Sequence, residues 1–267
     1  MEPHIVALDV DGTIVDYDDM MTDRVRNTIQ KVADAGHHVV IATGRAVSGS
    51  HEVVNRLDIR NGFVVSSNGS VITRLSPELD EGWELFHVES FDPEPALRRM
   101  SEALPTAHFM VEDTELTRWA TGEFPDGELQ SITSMQLVSF EELTQKRATR
   151  IVMRDLNGTN EEFVAAVEKI GLHGVTYSVG WSNWLDIAPE GVSKASGLQV
   201  VADELGVDRV HTVGAGDGSN DHEMIQWVAH GVAMGQAKPE LKEIANVVTG
   251  TVTEDGLAEA LEDYFGV

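Results

Sequence analysis

Cysteine is absent from this sequence of 267 residues. Without cysteine the chain cannot form disulfides or iron–sulfur clusters, cannot bind zinc through thiolates and has no thiol nucleophile. A chain of this composition suits a reducing compartment, and we therefore expect a cytoplasmic protein.

Positive charge is scarce. Lysine and arginine number 19 together, of which 6 are lysine, whereas aspartate and glutamate number 45. The formal net charge of -26 creates a field that repels the phosphate backbone of nucleic acids and the anionic surface of membranes. We therefore expect neither nucleic acid nor a membrane as a partner.

Long hydrophobic runs are also missing. The first apolar run, residues 5–8, stops at Asp9, and no stretch of ~18 apolar residues follows it. The sequence therefore predicts neither a signal peptide nor a membrane-spanning helix. Dividing the length by a typical domain size of roughly 150 residues gives about 1.8, which favours two domains or one large domain.

Short β-rich runs alternate with amphipathic helical stretches near both ends of the chain. This alternation is typical of βαβ units and predicts an α/β fold with a parallel sheet. The predicted strands cover residues 5–8, 38–42, 63–66, 210–213 and 232–234. The predicted helices cover residues 22–35, 47–57, 193–205, 221–228 and 257–265.

The middle of the chain has a different pattern, with longer polar loops. Residues 94–104 and 160–170 are predicted helices, and residues 150–153 are a β-rich run. We therefore predict an inserted α+β domain over residues 83–186, with residues 1–82 and 187–267 forming one discontinuous core domain.

Two acidic clusters directly follow predicted strands. Asp9 and Asp11 come after the first strand, and Asp217 and Asp221 come after the strand predicted near residue 213. Because open α/β sheets bind ligands at the carboxyl ends of their strands, we expect these four carboxylates to converge. Such a cluster is costly without a counter-charge, and a hard cation such as Mg²⁺ would balance it through oxygen ligands.

Other readings of these residues differ in how well their spacing fits. An EF-hand beginning at Asp217 requires glycine and glutamate where His222 and Val228 stand. A zincin motif beginning at His51 and Glu52 requires a second histidine where Asn55 stands. A dinucleotide-binding loop uses three glycines, and Gly214 and Gly216 are followed by serine at position 219. This nucleotide-binding reading is retained as an alternative.

Two further segments offer groups that bind anions. Thr43, Gly44 and Arg45 end the second predicted strand and provide a hydroxyl, backbone donors and a guanidinium. Lys194 lies in the first turn of a predicted helix, where the helix dipole disfavours a cation. A nearby acidic cluster or a bound phosphate would account for that placement.

Together these motifs resemble those of the haloacid dehalogenase-like phosphatase superfamily, in particular its Cof-like branch with a large cap domain. The four motifs occur in the family's order, at residues 9–13, Thr43, Lys194 and residues 216–221. The interval between the second and third motif corresponds to the inserted cap. The resemblance spans almost the whole chain and implies a Rossmann-like core.

The resemblance also implies roles for individual residues. Asp9 would be the nucleophile that forms an aspartyl-phosphate, and Asp11 would protonate the leaving alcohol and then activate water. Mg²⁺ would be held by the Asp9 carboxylate, the Asp11 main-chain carbonyl and Asp217, with Asp221 binding directly or through water.

The phosphoryl oxygens would be bound by Thr43 and Lys194, next to the backbone of Gly44. Asn220 would orient neighbouring carboxylates or Lys194. In similar proteins the positions of Arg45 and Asn68 touch substrate. Trp181, Asn183 and Trp184 in the cap could meet a sugar face, although packing is the commoner role of such residues.

The resulting prediction is a Mg²⁺-dependent phosphatase acting on a small phosphorylated metabolite such as a sugar phosphate. The cap would exclude bulk water and select substrates. Two alternatives stay open, a mutase of the same superfamily that transfers the phosphoryl group to another hydroxyl, and a non-catalytic nucleotide-binding module. We expect a monomer or small homo-oligomer.

Overall fold

The computed structural model describes residues 2–124, 135–157, 159–170, 172, 174–179 and 183–267. The chain divides into two compact units, Met1–His87 with Ser193–Val267, and Val88–Val192. These boundaries fall a few residues after the predicted ones, which were 82/83 and 186/187. Among the described residues, no helix has the length and apolar character needed to cross a membrane.

The strands and helices are numbered in chain order. The strands are β1 (Ile5–Leu8), β2 (His38–Ala42), β3 (Gly62–Ser66), β4 (Val71–Leu75), β5 (Trp83–Val88), β6 (His108–Asp113), β7 (Arg118–Ala120), β8 (Gln136–Leu137), β9 (Ala148–Arg154), β10 (Val175–Val179), β11 (Trp184–Pro189), β12 (Thr212–Gly216), β13 (His230–Ala233) and β14 (Val247–Val248). The helices are α1 (Asp23–Asp34), α2 (Val47–Arg56), α3 (Glu94–Ala103), α4 (Phe140–Thr144), α5 (Asn160–Ile170), α6 (Lys194–Leu205), α7 (His222–Trp227), α8 (Pro239–Ile244) and α9 (Gly256–Phe265).

The first unit is built on a sheet with the strand order β14-β13-β12-β1-β2-β3-β4-β5. The pairs from β14 to β3 are parallel, and β3 pairs with β4 in the antiparallel sense. The predicted α/β fold with a parallel-sheet core is therefore confirmed. β1 lies in the middle of this sheet, between a strand from the N-terminal part of the chain and one from the C-terminal part.

Helices cover both faces of this sheet. Successive residues of β1 alternate between the faces: Val6 packs in a core with apolar residues of α1 and α9, whereas Ala7 packs with apolar residues of α6 and α7. A strand that is buried on both faces is apolar at every position, which explains the uninterrupted run Ile-Val-Ala-Leu. The core thus fixes β1 rigidly up to the residue that precedes Asp9.

Two predicted helices begin at side-chain caps. The Thr22 hydroxyl accepts a hydrogen bond from the Val25 amide at 3.2 Å, and α1 begins at the next residue. Ser193 caps α6 in the same way by accepting from the Ser196 amide at 3.3 Å. Lys194 is consequently the first residue of α6, which confirms its predicted place in the first turn of that helix.

The strand predicted at residues 210–213 is shifted by two to three residues along the chain in the structure. Residues 209–211 form a short 3₁₀ turn, Val210 is 68% exposed, and β12 runs from Thr212 to Gly216. The Thr212 hydroxyl donates to the Arg209 carbonyl at 2.6 Å and closes the turn. The prediction misplaced the end of this strand because its last three residues, Gly-Ala-Gly, have low β-propensity.

The second unit contains a six-stranded sheet with the order β10-β11-β9-β6-β7-β8. Its strands are antiparallel apart from the short β7–β8 pair. Apolar residues of α3 and α5, among them Leu97 and Phe163, pack against those of β6 and β9 in one core. An α+β unit in the middle of the chain agrees with the predicted fold class.

Among the cap residues considered as sugar contacts, Trp181 lies outside the described residues. Asn183 is buried and donates a hydrogen bond to the Asn157 carbonyl at 3.4 Å. The indole of Trp184 donates to Asp186 at 2.8 Å and packs edge-on to Phe124. Both described residues have a structural role within their own unit.

Candidate active site

The candidate site forms where β1 and β12 end. These strands are parallel neighbours with Leu8 opposite Ala215, so the residues that follow them emerge side by side. The Asp9 amide continues the ladder by donating to the Ala215 carbonyl at 3.0 Å. This register brings the first and last motifs of the sequence to one edge of the sheet.

Three carboxylates meet at this edge. One carboxylate oxygen each from Asp9, Asp217 and Asp221 lies within 4.8 Å of the others. Asp221 Oδ2 accepts from the backbone amides of Asp217 at 3.0 Å and Gly218 at 2.9 Å, which fixes its rotamer. A Cβ on Gly216 would come within 2.4 Å of the Asp221 carboxylate, so this close approach requires glycine at position 216.

Lys194 lies against this cluster. Its Nζ donates to Asp9 Oδ1 at 2.5 Å and to Asp221 Oδ1 at 2.6 Å, and its side chain is fully buried. Burial lowers the pKa of Lys194, but Asp221 and Asp9 raise it by more than burial lowers it. The net pKa therefore lies above its ordinary value. The ammonium therefore stays protonated, and the unfavourable position at the start of α6 is balanced by two carboxylates.

The charges of the cluster do not balance without a further cation. The pKa of Asp9 lies well above its ordinary value. Burial is the larger cause and the charge of Asp221 the next, while Lys194 opposes both effects. The pKa of Asp217 is also raised, chiefly by burial. One ammonium faces three carboxylates, and these hard oxygen donors fit Mg²⁺, which would supply the missing positive charge.

The Asp11 carboxylate does not join this cluster. It accepts two hydrogen bonds from Arg45, from Nη2 at 2.6 Å and from Nε at 3.1 Å. Arg45 Nη2 also donates to Asp19 at 2.7 Å, and Asp19 in turn accepts from Arg56 at 2.8 Å. The expectation that four carboxylates converge is therefore wrong in one respect, because the Arg45 fork draws the Asp11 side chain aside.

The side chain of Arg45 is only 8% exposed although it carries a charge. Burial lowers its pKa, but the hydrogen bonds and charges of Asp11 and Asp19 raise it, so that the net pKa lies above the ordinary value. Its Nη1 atom is buried and has no hydrogen-bond partner among the described residues. One donor of the guanidinium is thus left for an incoming anionic group.

The predicted phosphate-side residues lie together. Thr43 is buried, and its hydroxyl accepts from the Arg45 amide at 3.0 Å. The backbone N–H of Asn68 donates to the Thr43 carbonyl at 3.0 Å. In the side chains, Asn220 Nδ2 donates to Asn68 Oδ1 at 2.9 Å. A Cβ on Gly44 would lie 3.3 Å from Asn68 and 3.4 Å from Asn220, so these four residues line one corner.

The turn that carries Asn68 packs against the start of α6. Gly69 has φ +105°, and a Cβ there would lie 2.1 Å from the Ser193 carbonyl oxygen. No other residue fits this contact, because a side chain would collide with rigid backbone. The close approach ties the position of Asn68 to that of Lys194.

Sequence reasoning missed two side chains that contact Asp217. Tyr17 Oη donates to Asp217 Oδ2 at 2.6 Å, and Gln236 Nε2 donates to the same atom at 3.2 Å. Burial, followed by the hydrogen bond to Asp217, raises the pKa of Tyr17, so the phenol remains a donor. Neither residue belongs to a recognisable pattern, and their only signal was a position in loops that follow β1 and β13.

The two glycines of the nucleotide-binding alternative have packing roles instead. A Cβ on Gly214 would lie 2.9 Å from the Val228 side chain, and Gly216 makes the close approach to Asp221 described above. Gly214 lies within β12, where it pairs with Gly231, and does not form a loop. The geometry gives no support to a dinucleotide-binding loop at this position.

The fold and the site together define a haloacid dehalogenase-like hydrolase. Residues 6–261 match the model of the haloacid dehalogenase-like hydrolase family, and the chain belongs to that family. It is therefore an enzyme, and the family predicted from four short motifs is confirmed.

Relatives of similar length carry phosphatase names. The 5-amino-6-(5-phospho-D-ribitylamino)uracil phosphatase YitU of Bacillus subtilis is 28% identical over 100% of this chain and 99% of its own length. YkrA of the same organism, also named a phosphatase, is 31% identical over 98% of each chain.

A solved structure shows the same fold. The HAD subclass IIB sugar phosphatase BT4131 superposes with a TM-score of 0.81 at 23% identity, covering 98% of this chain and 99% of that protein. The likeness extends over both units, since the coverage is nearly complete.

Proposed function

We propose that this enzyme is a Mg²⁺-dependent phosphatase that hydrolyses a small phosphomonoester through an aspartyl-phosphate on Asp9. The observation that carries the proposal is the buried contact of Lys194 with both Asp9 and Asp221, beside Asp217. An ammonium enclosed by carboxylates at a strand end suits phosphoryl transfer, in which positioning and charge stabilisation do most of the catalysis.

In the first half-reaction an Asp9 oxygen attacks phosphorus, and the bond from phosphorus to the leaving alcohol oxygen breaks. The carboxylate is held for this attack, because Oδ1 accepts from Lys194 and Oδ2 accepts from the Thr13 hydroxyl at 3.3 Å. Asp11, two residues along the same turn, gives its proton to the leaving oxygen. The alcohol departs and the phosphoryl group remains on Asp9.

In the second half-reaction water attacks phosphorus and passes a proton to Asp11, and the bond between phosphorus and the Asp9 oxygen breaks. Inorganic phosphate and free Asp9 result. The side chain of Asp11 is half-exposed, so it can reach both the leaving oxygen and water once the Arg45 contact loosens. Acid and base work by one carboxyl group requires this access.

The remaining residues bind and hold the phosphoryl group. Lys194 and the Thr43 hydroxyl donate to its oxygens, with the Gly44 backbone nearby, and the free Nη1 of Arg45 supplies a further donor. Asn220 and Asn68 keep this corner in place through their mutual hydrogen bond. Mg²⁺, held by Asp9, Asp217, Asp221 and the Asp11 carbonyl, would neutralise charge on the phosphoryl oxygens.

A phosphorylated sugar or sugar alcohol is the proposed substrate. Two names among the similar proteins support this class, since YitU is named for a phosphate on a ribityl chain and BT4131 is named a sugar phosphatase. The excess of acidic residues repels an anionic substrate at long range, so Lys194 and Arg45 provide the local attraction.

The test is phosphate release from a panel of phosphorylated sugars, sugar alcohols and nucleotides, with and without Mg²⁺. We expect release that requires Mg²⁺, loss of turnover in Asp9→Asn with an unchanged circular dichroism spectrum, and full activity in the control Asp34→Asn on the surface of α1. Acid-quenched enzyme should carry a phosphoryl group on the Asp9 peptide. Undiminished turnover in Asp9→Asn would refute the nucleophile, and faster transfer to an added sugar than to water would identify a mutase.

A further inference from the structure

The Asp217 carboxylate is held by two side chains that lie outside the four motifs. Its Oδ2 accepts from Tyr17 Oη at 2.6 Å and from Gln236 Nε2 at 3.2 Å. We propose that Tyr17 and Gln236 are positioning residues that orient Asp217 for a divalent cation. This inference rests on the metal site proposed above.

The hydrogen bonds leave one carboxylate oxygen for the ion. Rotation about the last bond of an aspartate is soft, so an unrestrained carboxylate samples many orientations. Two donors on Oδ2 restrict that rotation, and Oδ1 accepts no hydrogen bond among the described residues. A preoriented oxygen loses less freedom when an ion binds, which is the general function of hydrogen bonds behind metal ligands.

Gln236 is itself fixed by three hydrogen bonds. Its Nε2 donates to the Gly12 carbonyl at 2.5 Å as well as to Asp217, and its Oε1 accepts from the Val252 amide at 3.1 Å. Both amide hydrogens and the carbonyl oxygen are thus in use. The side chain joins the loop after β13 to the turn after β1, and Asp217 lies between them.

Gly12 forms the other wall of this enclosure. It has φ +79°, and a Cβ there would lie 2.2 Å from Asp217 Oδ2. The carboxylate therefore packs directly on the backbone of the first motif, and the Gly12 carbonyl keeps Gln236 in reach of it. Oδ2 thus lies against the Gly12 backbone, the Gln236 amide and the Tyr17 phenol.

Tyr17 is placed by a turn with its own hydrogen bonds. Asp16 Oδ1 accepts from the Met20 amide at 2.8 Å and from the Asp18 amide at 3.0 Å, which closes the segment that carries the phenol. Tyr17 is 65% exposed, so its partial burial does not by itself fix the position of the ring. The function of this exposed ring is therefore its hydrogen bond to Asp217.

Direct measurement of Mg²⁺ binding tests the inference without substrate. Titration calorimetry on the full chain compares the parent with Tyr17→Phe, which removes only the hydroxyl, and with the matched control Tyr177→Phe on β10. We expect the dissociation constant for Mg²⁺ to rise about 10-fold in Tyr17→Phe, the lower end of the range for partners of metal ligands, and to be unchanged in the control. Gln236→Leu should weaken binding in the same direction.

The effect must act through Asp217. In an Asp217→Asn background the added Tyr17→Phe change should have no further effect on Mg²⁺ affinity. In the phosphate-release assay, the Mg²⁺ concentration for half-maximal rate should rise in Tyr17→Phe by the same factor as the dissociation constant. A role confined to folding stability would move neither quantity once the variant is shown to be folded.

The outcomes separate the inference from the proposed function. If the parent binds Mg²⁺, Asp217→Asn binds it more weakly, and Tyr17→Phe binds it as tightly as the parent or more tightly, the positioning role is refuted and the metal site stands. If the parent and Asp217→Asn bind Mg²⁺ equally or not at all, the proposed metal site fails, and the inference fails with it.

Discussion

The ammonium of Lys194 and the carboxylate of Asp9 lie 2.5 Å apart in the interior of the protein, although 185 residues separate them in the sequence. The same nitrogen reaches Asp221 at 2.6 Å. Opposite charges buried at this distance stabilise each other, whereas a single one left behind would be strongly destabilising. The contact is therefore both a part of the reaction site and a link between the two segments of the core.

Removal of the Lys194 charge should destabilise the protein. Lys194→Met leaves Asp9 and Asp221 buried without their cation, and breaking a buried pair in this way costs about 3–5 kcal/mol. Urea denaturation without metal should show this loss, and added Mg²⁺ should restore part of it by supplying positive charge. Lys31→Met on the surface of α1 is the control, and a Lys194→Met variant as stable as this control would contradict the interpretation.

Removal of the Asp9 charge should not destabilise the metal-free protein and should stabilise it where the buried carboxyl would otherwise ionise. Burial and the charge of Asp221 raise the pKa of Asp9 in the folded state, so the folded state binds this proton more tightly than the unfolded state. Stability is therefore lost as the pH rises and the buried carboxyl ionises. Asp9→Asn removes that loss, and its melting temperature without Mg²⁺ should equal or exceed that of the parent at neutral pH. A clearly lower melting temperature would show that the Lys194 contact outweighs the burial of Asp9.

A methyl group on Gly69 should disturb the site, whereas the same group on Gly36 should not. Both glycines have positive φ, at +105° and +91°, but a Cβ on Gly69 meets the Ser193 carbonyl at 2.1 Å and one on Gly36 meets nothing within 4 Å. Gly36→Ala should cost about 1 kcal/mol from backbone strain alone. Gly69→Ala should cost more and also lower turnover by displacing the start of α6. Equal effects of the two changes on stability and turnover would disprove the close contact.

Acidification should weaken the fold through His51. Burial lowers the pKa of His51 to about 4, and its Nε2 is hydrogen-bonded to the buried Thr73 hydroxyl at 2.8 Å. The unfolded state binds the proton near pH 6.5, so stability falls as the pH drops from about 6.5 and the loss is complete near pH 4. Between these pH values the unfolding free energy of His51→Gln should fall by about 1–2 kcal/mol less than that of the parent, after allowance for partial solvent access. Parallel slopes for parent and variant would assign the effect to other groups.

The sequence predicted the parts of the fold that depend on local pattern. Strands β1 and β2 and helix α5 have the predicted bounds, since uninterrupted apolar runs and a helical period mark them clearly. β12 was misplaced because Gly214 and Gly216 hide a buried strand behind a composition typical of turns. The boundaries of the two units depend on which sheet β5 and β11 join, and pairing between distant strands leaves no local signal.

The candidate site was predictable to the same extent. Asp9, Asp217 and Asp221 could be placed together because the carboxyl ends of parallel strands meet at one edge. The Arg45 fork on Asp11 could not be foreseen, because it depends on Asp19, which adopts a left-handed backbone with φ +60°. Tyr17 was missed since its partner Asp217 lies 200 residues away.

The central place of β1 in its sheet has a consequence for folding during translation. β2 follows β1 closely, but its other neighbour, β12, comes after the whole second unit. β12 begins at Thr212 and therefore leaves the ribosome about 200 residues after β1, roughly 10–40 s later at 5–20 residues per second. For that interval the nascent chain carries an apolar strand with one unpaired edge, a state prone to wrong association. Chaperones that shield this edge during translation would therefore affect the yield of active enzyme more than its final stability.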